Sequence, residues 1–249
     1  MSVANFGSLS FDCRLVIFDK DGTLLDPFPL WKELCSRRVS AIKELAGLAE
    51  KDLAVLVQSL GVKDGRILPD GPFALASSRD EQVVTATVLY QLGLGGFDTC
   101  RRIAADAYAQ AESELDLASL TRAVKGAVDC IKALKAAEIK CAVATTDSQK
   151  RTLNTLKIAG FSDLFDAIVT SDMVSAGKPD PEMIEYLLKY FNISRKSAVM
   201  VGDSPSDMQF GRNAGIGLSV GVLSGTGTTE SLRKCADVII QSVAEITVG

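Results

Sequence analysis

Short β-branched runs alternating with helical apolar patterns restrict, more than any other feature, the folds open to this chain. Six such runs stand at residues 14–18, 141–145, 167–170, 198–201, 217–222 and 237–240. Helix-period patterns at residues 127–137, 149–159, 181–191, 206–214 and 228–235 fall between most of them. Strands separated by helices pair in parallel, so the order predicts an α/β fold: a doubly wound parallel sheet with helices on both faces. The alternation fails once. Between about residues 27 and 120, the patterns at 30–48, 51–60, 80–92 and 99–111 read as helix after helix. A helical insert that leaves the core after the first strand and returns near Lys125 and Gly126 explains this most economically. The predicted organisation is a core of residues 1–26 and 120–249 with an inserted helical domain of residues 27–119. A chain of 249 residues that is 47% apolar can fill such a core.

The absence of histidine removes Ser-His-Asp hydrolysis, phosphohistidine catalysis and histidine metal sites at a stroke. The six cysteines form no C-x-x-C pair and none is followed by arginine in a phosphate-cradling loop, so reduced thiols of a cytoplasmic protein are expected. No G-x-x-x-x-G-K-[ST] loop is present, and no frame satisfies a calcium-binding EF-hand. The later glycines complete no G-x-G-x-x-G, so no dinucleotide is expected. A net charge of -4 with scattered Lys and Arg argues against nucleic acid. No leader and no membrane-length apolar run is evident, so the expectation is a soluble, unprocessed protein with no membrane partner. The oligomeric state is not written in these patterns. Carboxylates, Lys, Ser and Thr are left to carry chemistry.

In a parallel sheet, ligands bind beyond the carboxyl ends of the strands. There the chain places Asp19-Lys20-Asp21-Gly22-Thr23, Thr145-Thr146-Asp147, Gly177-Lys178-Pro179-Asp180-Pro181 and Gly202-Asp203-Ser204-Pro205-Ser206-Asp207. Asp19, Asp21 and Asp203 would make an all-oxygen site suited to Mg²⁺. Such a cluster repels itself unless a cation, Lys178 and a bound phosphate balance it. Gly22 and Gly202 are read as allowing close backbone approach to phosphate or metal. Asp207 has a second reading, as a first-turn acid facing a helix dipole, and Asp147 reads as the cap of the helix beginning near Gln149. Arg66, Arg79, Arg101 and Arg102 of the insert are candidates for meeting an anionic substrate, though most such residues are simply solvated.

These four motifs, in this order and spacing, resemble those of the haloacid dehalogenase superfamily. The insert after the first motif is similar to the cap of its phosphoglycolate phosphatase and β-phosphoglucomutase branch, whose core is Rossmann-like. The resemblance implies Asp19 as nucleophile and metal ligand. Asp21 would contribute its backbone carbonyl to the metal and its carboxyl to proton transfer. Thr145 and Lys178 would grip the phosphoryl oxygens, with Gly22 and Thr146 also facing substrate. Asp203 would bind Mg²⁺ directly, and Asp207 would orient Lys178 or a metal-bound water. Thr146 departs from the Asn frequent at its position, so a substrate contact inferred for an Asn side chain does not carry over to it.

A carboxylate attacks a phosphomonoester dianion only when a cation and an ammonium offset both charges. Asp21 would then protonate the leaving alkoxide and later deprotonate the hydrolytic water. The resulting expectation is a Mg²⁺-dependent phosphatase acting on a small phosphorylated metabolite, with phosphoglycolate suggested by similarity alone. A sugar-phosphate mutase is the alternative, and a non-catalytic regulatory protein on the same fold a remoter one. For the last, loss of Asp19 or Asp21 would be expected, and both are present.

Overall fold

The computed structural model describes residues 3–249. The chain forms two compact units, one of Met1–Pro27 with Thr121–Gly249 and one of Phe28–Leu120. The first begins with a hairpin, β1 (Val3–Phe6) and β2 (Leu9–Asp12), followed by β3 (Leu15–Phe18). The second holds α1 (Phe28–Ala46), α2 (Glu50–Ser59), the short hairpin β4 (Val62–Lys63) and β5 (Arg66–Ile67), α3 (Pro72–Leu75), α4 (Ser78–Gln91), α5 (Phe97–Ser113) and α6 (Leu117–Leu120). The first unit then resumes with α7 (Ala127–Ala136), β6 (Lys140–Thr145), α8 (Gln149–Ile158) and β7 (Ala167–Thr170). It continues with α9 (Glu182–Phe191), β8 (Ala198–Gly202), α10 (Pro205–Ala214), β9 (Leu218–Val222), α11 (Thr229–Arg233), β10 (Val238–Ile240) and β11 (Ile246–Val248).

Six strands form one sheet in the order β10-β9-β8-β3-β6-β7, and every neighbouring pair is parallel. This is the doubly wound sheet expected from the alternation. All four residues of β3 are buried, because side chains alternate across the sheet and both faces are covered. Val16 and Phe18 pack on one face with Ile131 and Leu134 of α7 and Leu156 of α8. Leu15 and Ile17 pack on the other with Ile184 and Leu187 of α9 and Phe210 of α10. The small antiparallel sheet β11-β1-β2 was not anticipated, since strands of three or four residues carry too little periodicity to register. All six cysteines are free. Burial pushes the Cys130 thiol up to about 12, and burial with the Asp12 charge raises Cys13 to about 11, so both stay protonated and inert.

The helical unit has its own core, built by Ile42 of α1, Leu56 of α2, Leu89 of α4 and Ala104 and Tyr108 of α5. Within it Arg38 is buried, its Nη1 2.7 Å from Glu81 Oε2 and its guanidinium 4.3 Å from the centre of the Tyr108 ring. Removing one member of a buried ion pair takes the counter-charge from the other and costs about 3–5 kcal/mol. Arg38→Leu is therefore expected to destabilise the helical unit by about that amount. The single tryptophan, Trp31, lies in α1, so urea unfolding followed by its fluorescence reports this unit directly. A midpoint unchanged from the parent would show that the pair contributes nothing net.

Candidate active site

The carboxyl ends of β3, β6 and β8 bring together residues far apart in sequence. Asp19 follows β3 and is fixed by donating its N–H to Val201 O at 2.8 Å. The chain then turns sharply, with Leu24 and Leu25 N–H both returning to Lys20 O at 2.9 Å. Gly22 makes this turn with φ +88°, and a Cβ there would lie 2.5 Å from the Asp203 carboxylate. Glycine is thus required twice over, by conformation and by space.

Beyond β8, Ser204 caps α10 reciprocally with Asp207. Asp207 N–H donates to Ser204 Oγ at 3.2 Å, and Asp207 Oδ2 accepts from Ser204 N at 3.1 Å and Oγ at 2.6 Å. Lys178, on the loop between β7 and α9, places Nζ 2.6 Å from Asp19 Oδ1 and 2.7 Å from Asp207 Oδ1. Asp203 Oδ2 accepts from Thr226 N at 2.6 Å and Thr226 Oγ1 at 3.0 Å. Oxygens of Asp19, Asp203 and Asp207 lie within 4.8 Å of one another.

The structure therefore gathers Asp19, Lys178, Asp203 and Asp207 into one centre, with Gly22 against it. Thr145 ends β6, buried, its hydroxyl accepting from Asp147 N–H at 3.2 Å. Thr146 follows it and makes no side-chain hydrogen bond among the described residues. Asp21 sends its carboxylate elsewhere, with Oδ2 2.6 Å from Lys20 Nζ. Asp147 is not the cap of α8. Ser148 is, accepting from Arg151 N–H at 3.4 Å, because Asp147 is drawn into an ion pair with Lys20 at 3.0 Å.

Charge in this centre is out of balance. Burial pushes Asp203 up to about 7, helped by the Asp207 charge and opposed by the Thr226 bonds. Burial likewise raises Asp19 well above the usual carboxylate range, with Lys178 pulling it down and Asp207 and Asp203 pushing it up. Burial disfavours the Lys178 ammonium, but Asp19 and Asp207 outweigh that and hold it charged. Three clustered carboxylates, two of them buried, against one ammonium fit a divalent cation that prefers oxygen. Both Asp207 oxygens are committed, to Ser204 and Lys178, while Asp19 and Asp203 each keep one oxygen without a bond among the described residues.

Sequence reasoning overlooked the loop that grips Asp203. A Cβ on Gly225 would stand 2.1 Å from Asp203 Oδ2, and Ser224 Oγ donates to Gly22 O at 2.7 Å. The signal was the Ser224-Gly225-Thr226-Gly227 run after β9, another strand end of the same sheet.

A family model described as haloacid dehalogenase-like hydrolase matches residues 13–215. The chain is 25% identical to a phosphorylated carbohydrates phosphatase of Thermotoga maritima over 93% of this chain and 95% of that protein. It is 27% identical to a phosphoglycolate phosphatase of Psychrobacter arcticus, covering 84% and 85% respectively. In fold it is similar to a crystal structure from Haemophilus somnus, a predicted phosphoglycolate phosphatase, with TM-score 0.70, 22% identity and coverage of 94% and 96%.

Proposed function

The chain belongs to the haloacid dehalogenase-like hydrolase family and is a phosphatase, and from that premise we propose that it hydrolyses phosphomonoesters of small metabolites, with Mg²⁺, through an aspartyl phosphate on Asp19. The observation that carries this reading is Lys178, which joins Asp19 to Asp207 beside Asp203. Asp19 and Asp203 would hold the ion, with the backbone carbonyl of Asp21, while Asp207 fixes Lys178. When bound, Mg²⁺ supplies positive charge that offsets the phosphate dianion.

The chain's own residues perform the rest. Lys178 and Thr145 hold phosphoryl oxygens, while Gly22 and Thr146 border them. An Asp19 oxygen attacks phosphorus in line, the bond to the ester oxygen breaks, and Asp21 gives that oxygen its proton. Asp21 then takes a proton from the water that attacks the acyl phosphate, which frees inorganic phosphate and restores Asp19. The helical unit Phe28–Leu120 is read as the cap that selects small substrates. Among the described residues no helix is long and apolar enough to cross a membrane.

The test is p-nitrophenyl phosphate with Mg²⁺ and with EDTA, followed by a panel of phosphorylated metabolites that includes phosphoglycolate. Phosphate release that needs the metal is expected. Conversion of β-glucose 1-phosphate to the 6-phosphate without free phosphate would instead identify a mutase.

Metal and pH are linked at Asp203. Its carboxyl is raised from 3.8 to about 7, so it contributes stability below about pH 4 that is lost as pH rises through about 7. A bound cation reverses this penalty, so Mg²⁺ should raise the melting temperature more at pH 8 than at pH 5, by roughly 5 °C. Equal shifts at both pH values would remove Asp203 from the metal site.

A further inference from the structure

Lys20 is fully buried between two catalytic-motif aspartates, where the proposed reaction gives it no task. Lysine is almost never buried without compensation, because desolvating an ammonium costs several kcal/mol. Its Nζ lies 2.6 Å from Asp21 Oδ2 and 3.0 Å from Asp147 Oδ2. Both carboxylates lie at ion-pair distance and hold the ammonium charged against its burial.

Asp147 is itself fixed from several directions. Its Oδ2 accepts from Arg151 Nε at 2.9 Å, and its Oδ1 from Ser148 N–H at 2.6 Å and Arg151 Nη2 at 2.5 Å. Its backbone N–H donates to Thr145 Oγ1 at 3.2 Å, and its carbonyl accepts from Ser171 Oγ at 3.3 Å. Although burial opposes ionisation of Asp147, Lys20 and Arg151 hold its carboxyl low, at about 2. The four groups Asp21, Lys20, Asp147 and Arg151 alternate in charge and sum to zero. They form a second electrostatic chain, separate from the pairs of Lys178 with Asp19 and Asp207.

We propose that Lys20 is a positioning residue that ties the Asp21 carboxylate to the rigid end of β6 through Asp147. The inference rests on the reading of Asp21 as the proton-transfer group. With Oδ2 held by the ammonium, the carboxylate presents Oδ1 for proton exchange. Proton transfer needs heavy atoms within about 2.6–3.2 Å, and a displacement of about 1 Å costs about 100-fold in rate. A partly exposed aspartate on a turn would otherwise sample several rotamers, most of them out of reach.

A double-mutant cycle with Asp21→Asn tests this, using p-nitrophenyl phosphate turnover at saturating Mg²⁺. Lys20→Met keeps the unbranched stem, and Asp147 keeps Arg151 as partner. Alone, it should lower kcat roughly 10- to 100-fold, with KM and half-saturating Mg²⁺ within about threefold of the parent. In the Asp21→Asn background the same change should alter kcat by less than about threefold, because the group it positions is gone. An equal loss in both backgrounds, or no loss in either, overturns the inference. Asp21→Asn with the parent's turnover overturns it together with the proton-transfer reading, whereas a deep Asp21→Asn loss beside a silent Lys20→Met overturns the inference alone. If circular dichroism shows Lys20→Met unfolded, Asp147→Asn carries the cycle instead, with a smaller loss of kcat that again vanishes beside Asp21→Asn.

Discussion

Asp19→Asn is expected to cut phosphate release by roughly four orders of magnitude or more while leaving the fold intact. An amide is neither a nucleophile toward phosphorus nor a good ligand for a hard cation. Its carbonyl can still accept the Lys178 ammonium now 2.6 Å away, so the local packing survives. The structure adds a sign to this. Burial and the neighbouring Asp207 and Asp203 charges already work against an ionised Asp19, so a neutral residue relieves repulsion in the metal-free protein. Asp19→Asn should therefore melt at or above the parent temperature in EDTA, yet gain less from Mg²⁺. Turnover within tenfold of the parent would remove Asp19 as nucleophile.

Asp21→Asn should separate the two half-reactions. An alkoxide needs a proton as it departs, whereas p-nitrophenolate leaves without one, so the first step should suffer far more with an alkyl phosphate. Hydrolysis of the acyl phosphate needs the base with either substrate. With p-nitrophenyl phosphate the variant should release up to about one nitrophenol per site in a burst, then turn over roughly 100-fold or more slowly. Acid quenching should trap a hydroxylamine-labile phosphate on Asp19. Equal slowing of both esters with no trapped phosphoenzyme would show that Asp21 is not the proton shuttle.

The sheet was legible because each of its strands is a compact apolar run. Leu15 to Phe18 is buried on both faces, and no amphipathic helix reads that way. The meeting of Asp19 with Asp203 was legible for a related reason: a parallel sheet delivers the residue after each strand to one edge, so the two could be grouped without knowing any distance. What escaped was pairing. Nothing at Asp147 distinguishes a helix cap from a buried counter-ion until the Lys20 side chain is seen to turn toward it. The hairpin of β4 and β5 escaped too, although Asp64-Gly65 at its tip is a strong turn signal, because two-residue strands leave no alternation to flank it. Thr226 lay in a loop whose glycines were tested only against a dinucleotide motif.

The place of β3 in the sheet also sets an order of events during synthesis. It emerges first of the six strands, yet its neighbours are β6 and β8, and β8 lies about 180 residues further along the chain. At about 5–20 residues per second, β3 leaves the ribosome roughly 10–40 s before its last partner exists. The helical unit is contiguous in sequence and can close its own core during that wait. Leu15–Phe18 cannot: both edges of this fully apolar strand stay open until β6 emerges, and the edge that β8 will cover stays open to the end of the interval. The segment that ends at Asp19 is thus the one a nascent-chain chaperone would have to cover, and a slowed ribosome would lengthen its exposure rather than help it fold.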